Sequence, residues 1–106
     1  MSNELRPENE KIIRITREGK LMSYVQHALY KISVDGITYL AGTGSVTKKV
    51  VDVVEILKKY NKNLRLVYGG IGTIEISIQP GKKKRISKLV LGLSDHDYKP
   101  LFEFIE

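Results

Sequence analysis

The stretch Gly42-Thr-Gly-Ser-Val-Thr-Lys-Lys-Val-Val-Asp-Val-Val-Glu-Ile-Leu57, "GTGSVTKKVVDVVEIL", decides whether the middle of the chain is helix or strand. Lys48, Asp52, Glu55 and Lys59 fall on one stripe at helical spacing, and Val46, Val50, Val53, Val54 and Leu57 fall on the opposite one. Thr43 or Ser45 occupies the place of an N-cap, and Asn61-Lys-Asn63 closes the segment after Tyr60. Valine is a mediocre helix former, so a strand over 50–54 stays open on local propensity alone. Periodicity and capping favour the helix. Val51 and Ile56 widen its apolar surface beyond one sheet-facing stripe, so a second element of the chain or another subunit must cover them.

Working outward, "KIIRIT" (11–16) and "ITYLAG" (37–42) read as short strands. Between them Leu21, Val25, Ala28, Leu29 and Ile32 mark a helix over Lys20–Val34, ended by Asp35-Gly36. Residues 64–79 read as a long strand in which Gly69, Gly70 and Gly72 mark a bulge or bend. Residues 85–93, "RISKLVLGL", form its return strand, so "QPGKKKRIS" (79–87) is a hairpin tip carrying four consecutive cations. The order is β-α-β-α-β-β: an α/β two-layer sandwich, a small mixed sheet with two helices on one face and a long hairpin arm.

The 106 residues suffice for one core, with an acidic segment over 1–10, a domain over 11–94 and an acidic, aromatic tail over 95–106. In the tail, Leu101, Phe102, Phe104 and Ile105 are too apolar to be left in water. They are expected to dock on the domain or a partner, with Glu103 and Glu106 near basic residues. No apolar run approaches a membrane span, and the polar start lacks a secretory signal, so the expected location is intracellular, in nucleus or cytoplasm. The absence of cysteine excludes a disulfide framework, a thiol nucleophile and a Cys-based zinc site. His27 and His96 lie far apart, and Asp95-His96-Asp97 has no second cluster, so neither a metal nor a cofactor is expected. The net charge of +6 is carried by the body of the chain, which points to an anionic partner.

"GTGSVTKK" (42–49) is not a nucleotide-triphosphate loop, because Thr47 stands where its second glycine belongs. What it does offer is helix N-terminal amides beside the Thr43 and Ser45 hydroxyls and Lys48 or Lys49, a set suited to one phosphate of a polymer. For each hydroxyl, plain capping is an equally good reading. The lysine-rich tip also has two readings, a phosphate-binding fingertip and a solvated loop that blunts a sheet edge.

Three segments, "GKLMSY" (19–24), "GTGSVTKKVVDVVEIL" (42–57) and "ISIQPGKKKRISKLVLGL" (76–93), resemble in the same order the Alba family of nucleic-acid-binding proteins. The similarity covers residues 11–94. It implies a dimer that binds DNA and RNA with little sequence preference, and a second helix that contributes to the dimer interface. Carried over by position, the binding face comprises Lys20, the segment with Thr43, Gly44, Ser45, Lys48 and Lys49, and the arm residues Lys82, Lys83, Lys84 and Arg85. Arg17 and Lys88 are expected to extend that basic surface, and among tyrosines that otherwise read as core or interface, Tyr24 is the candidate to stack on single strands.

Two departures from the family shift the weight toward the arm. Glu18-Gly19-Lys20 stands where many members have a basic pair, and Thr43 and Ser45 replace the arginines common around the loop glycine. The expected partners are DNA and RNA and a second Alba-like chain, identical or not, with no membrane and no small-molecule substrate. Two rival readings are a protein subunit of a ribonuclease P or MRP ribonucleoprotein and an enzyme whose lysine attacks abasic sugars through a Schiff base. The expectation is a binding protein without catalytic residues.

Overall fold

Residues 42–57 form the end of a strand, a turn and then a helix. The computed structural model describes residues 5–105. Its elements are β1 (Ile12–Arg14), α1 (Leu21–Asp35), β2 (Ile37–Thr43), α2 (Thr47–Tyr60), β3 (Arg65–Gln79), β4 (Lys82–Ser94) and β5 (Leu101–Ile105), with single 3-10 turns at Asn9–Lys11 and Gly44–Val46. The strands make one sheet in the order β1-β2-β4-β3-β5. β1 pairs with β2, and β5 with β3, in parallel; β4 is antiparallel to both its neighbours.

Packing settles the helix-or-strand question at 50–54. Val50, Val53 and Leu57 of α2 are completely buried and share a core with Val25, Ala28 and Ile32 of α1 and with Leu40 and Leu93 of the sheet. Burying each such side chain contributes about 1.5–3 kcal/mol, against a propensity deficit of roughly 0.7 kcal/mol or less for each valine in a helix. The helical face therefore wins. Ile56 is covered by the same core, whereas Val51 stays exposed.

Both helices lie over β2 and its neighbours, and neither reaches across β3 to β5. On the other face of the sheet a second core gathers Leu5, Tyr39, Ala41, Val67, Tyr68 and Val90, with Tyr98, Leu101 and Ile105 against it. Both ends of the described chain close over this face. The Tyr39 hydroxyl donates to the Leu5 carbonyl at 2.8 Å, and the Tyr68 hydroxyl donates to Glu103 Oε2 at 2.7 Å. Arg6 Nε donates to Glu103 Oε1 at 2.9 Å. Glu106, expected near basic residues, lies outside the described residues, as do residues 1–4 of the acidic N-terminal segment.

Three local expectations need correction. Neither Thr43 nor Ser45 caps α2: Thr43 is still in β2, opposite Lys88, and α2 begins after Val46 with no side-chain cap. The chain turns into the helix through Gly44, whose φ of 56° disfavours any side chain. The glycines of β3 do not make its bulges, which fall between Leu66 and Tyr68 and between Ser77 and Gln79. They make room for β5 instead. A Cβ on Gly69 would come within 2.6 Å of the Phe102 ring, and one on Gly72 would meet the Ile105 carbonyl oxygen at 2.1 Å. Finally, the hairpin loop is Pro80-Gly81 alone, with Gly81 at φ 79°, so the cations 82–85 begin the return strand rather than forming the loop.

Candidate nucleic-acid interface

β2 ends at Thr43 opposite Lys88, and β5 ends at Ile105 opposite Gly72. Beyond that row β3 and β4 have only each other, from the Thr73–Ser87 pair outward to Gln79–Lys82. The ribbon leaves the sheet at the end where β1 also finishes and both helices begin. The segment 15–20, the turn Gly44–Val46 and the root of the arm therefore share one end of the molecule, although they are far apart in sequence.

On the arm the side chains alternate. Lys82 and Lys84 share a face with Lys88, while Lys83 and Arg85 point to the other, across from Ser77 and Glu75. Lys82 to Arg85 are all exposed, Lys88 is half-buried at the root, and none of these five, nor Lys20, is held by an ion pair among the described residues. Glu75 is the only carboxylate on the ribbon. A polyanion lying along either face thus meets unpaired cations, as a backbone-tracking surface requires.

The body end is built differently. Lys49 turns its ammonium into the segment before α1, donating to the carbonyls of Thr16 at 2.8 Å, Arg17 at 3.1 Å and also Gly19. The same ammonium lies 5.3 Å from the centre of the Tyr24 ring. The Tyr24 hydroxyl accepts from the Thr16 amide at 2.9 Å and shares a hydrogen bond with the Thr16 hydroxyl. These Thr16 hydrogen bonds, with the Lys49 charge as a smaller aid, hold the Tyr24 hydroxyl below its usual pKa. A side chain at Gly19 would displace Tyr24, because a Cβ would sit 1.9 Å from the Tyr24 hydroxyl oxygen. Arg17 Nη2 donates to Ser45 Oγ at 3.0 Å and ties this segment to the turn before α2.

Of the residues proposed from sequence, Lys49, Tyr24, Ser45 and Arg17 are therefore engaged with one another's segments, and they shape the surface rather than present free groups. Lys48 bridges Asp52 at 3.1 Å with its side chain largely in solvent, a pair weak enough for a phosphate to replace. Thr43 and Gly44 form the backbone that aims α2. Neither helix carries an acidic residue in its first turn or a side-chain cap, so their leading amides face this end without a competing anion. Sequence reading missed Thr16 and Gly19, whose part depends on a lysine some thirty residues away.

His96 stacks on Tyr98, with its Nε2 3.5 Å from Asp95 Oδ1. Among the described residues no three His, Cys, Asp or Glu side chains converge as a metal site would need. Among the described residues no helix is long and apolar enough to cross a membrane.

A two-layer domain with this strand order and a basic hairpin arm beside two helix N-termini has the Alba fold. Alba from Thermoplasma volcanium superposes with a TM-score of 0.70 at 20% identity, covering 78% of this chain and 98% of that one. ALBA1 from Trypanosoma brucei does so with a TM-score of 0.58 at 16% identity, covering 87% of this chain and 74% of its own. No protein-family model matches the sequence, and no curated protein matches it.

Proposed function

We propose that the chain is a sequence-tolerant DNA- and RNA-binding protein that works as a dimer, gripping the phosphate backbone with its arm and seating it against the helix N-termini. The observation that carries this reading is the ribbon on which Lys82, Lys83, Lys84 and Arg85 are exposed and without an ion pair among the described residues, rising from the end where α1 and α2 begin. Flexible cations on a stiff two-stranded lever follow a groove by charge and shape, with no fixed donor pattern for reading bases. The Alba fold supports the same reading. Binding here masks or compacts nucleic acid and transforms nothing. Dimerisation gives two arms per particle and accounts for the exposed Val51 flank of α2.

Fluorescence anisotropy on short duplex DNA, single-stranded RNA and duplex RNA across a salt series tests the proposal. Three to four neutralised phosphates give a log–log salt slope of about −3 on duplex DNA, roughly doubled for a dimer. Replacing residues 82–85 with alanine is expected to lower affinity by about 100-fold at low salt and to flatten the slope. Absence of wild-type binding at low salt sinks the reading and turns attention to protein partners.

A further inference from the structure

The two helices leave half of one sheet face bare. On that side Leu66 is 42% exposed, Ile71 55%, Phe102 64% and Phe104 89%, and Val51 on the flank of α2 is 42% exposed. The residues are continuous. Leu66 pairs with the core residue Leu93, Ile71 with Leu89, and Phe102 and Phe104 stand opposite Gly69 and Ile71. A shallow basin of about 320 Å³ lies among Gly69, Ile71, Leu89, Leu91, Phe102 and Phe104. An apolar surface of this extent is rare on a protein that works alone.

We infer that Phe102 and Phe104 of β5 are the outer part of a two-fold interface with a second copy of this chain, continuous with the Val51 flank of α2. The inference rests on the dimeric part of the function proposed above and adds to it a strand that lies beyond the domain boundary expected from sequence.

Charge selects the occupant. The rim that α2 supplies carries Glu55 beside Lys58 and Lys59, next to Leu66. Opposite signs on one rim suit an isologous contact, in which Glu55 of one copy meets a lysine of the other and the reverse contact is made by symmetry. The basin is lined by Glu103 and by no cation, and Lys83 and Arg85, the cations on this face of the arm, stand out beyond the Thr73–Ser87 row, so a polyanion finds no positive group in it. The second copy also brings the shape that is missing, a helix flank with Val51 and Val54 for a sheet that lacks cover. β5 is fixed for presentation. Gly69 admits the Phe102 ring, and on the opposite face Glu103 is held by Tyr68 and Arg6, so the two phenylalanines stay outward.

Sedimentation velocity over a dilution series, in low and in 1 M salt, tests this on the full chain. Phe102→Thr with Phe104→Thr keeps strand-favouring residues, and Ile76→Thr with Ile78→Thr on the arm is the control. Phe104→Lys is measured alone as well, because a side chain so exposed in one copy has no part in folding that copy. The wild type is expected to be a dimer whose association survives high salt. Both β5 variants should raise the dimer Kd at least about tenfold, a change within reach of truncating two buried aromatic anchors, and the arm control should leave it unchanged. A wild type that stays monomeric at all concentrations overturns the dimeric reading and this inference together. A dimer equally tight in both β5 variants overturns this inference alone, including the case in which those variants lose affinity for single strands and so mark a base-stacking surface.

Discussion

Two basic regions sit at one end of the molecule and use their lysines in opposite ways. Around segment 15–20, Lys49 is surrounded by carbonyls and a tyrosine face and acts as a structural pin. Along the arm, Lys82, Lys83 and Lys84 have no partner among the described residues and stand exposed. The sequence shows lysines in both places. What separates them is whether backbone carbonyls converge on the ammonium, a property of the fold and not of the charge count.

The largest expected effect comes from exchanging a pin for a free cation. Lys49→Met keeps the stem and removes charge-assisted bonds to three carbonyls, so denaturant unfolding should show a loss of about 2 kcal/mol. Lys84→Met should cost less than about 0.5 kcal/mol. The salt dependence of binding should reverse the ranking, with Lys84→Met reducing the slope by about 0.9 per arm and Lys49→Met leaving it unaltered. If Lys49→Met flattens the slope as much as Lys84→Met does, the distinction between the two regions fails.

A second, smaller effect concerns the clasp on the far face of the sheet. The Tyr68 hydroxyl, by its hydrogen bond, and then Arg6 hold the Glu103 carboxyl below its ordinary value of 4.5. Burial, and then the bond to Glu103, push the Tyr68 hydroxyl well above its ordinary 10.0. A carboxyl with a lowered folded pKa contributes stability above its unfolded value and loses it as pH falls. A phenol with a raised one contributes below pH 10 and loses it as pH rises further. Protection of β5 amides from hydrogen exchange, corrected for the intrinsic rate, should therefore be greatest between those two limits and decline on both sides. Glu103→Gln should abolish the acid limb; an unchanged acid limb would mean that another group governs it.

The smallest effect separates Arg17 from the pin beside it. Ser45→Ala removes one exposed hydrogen bond and should change stability by less than about 0.5 kcal/mol, while freeing Arg17 to contact phosphate. Titration calorimetry should show binding equal to wild type or slightly tighter. Clearly weaker binding would make Ser45 a direct ligand.

Much of the fold was legible because its signals are local. The apolar stripes of α1 and α2, the Asp35-Gly36 stop and the hairpin around Pro80-Gly81 each lie within one segment. The parts that were misread depend on distant partners. Gly69, Gly70 and Gly72 look like a bend until β5 is set beside them, and five residues with two outward phenylalanines carry too weak an alternation to announce a parallel strand. The arm cations were legible as exposed charge because no described residue folds back onto them. Lys49 and Tyr24 were assigned to the same site by position, but their geometry belongs to the loop they hold. The hydroxyls of Thr43 and Ser45 gave two readings of equal merit, and the 3-10 turn before α2 satisfied neither as a cap.

β5 joins the sheet after β4 in chain order, yet its neighbour is β3, with Glu103 reaching Tyr68 across 35 residues. During synthesis, then, the edge of β3 is complete and unpaired for as long as it takes to translate and release the residues that follow β4. Throughout that interval a glycine-lined strand with open amides and carbonyls is available to any neighbouring nascent chain. The cations on the adjoining arm set like charge beside that edge, which opposes pairing between two copies of the chain.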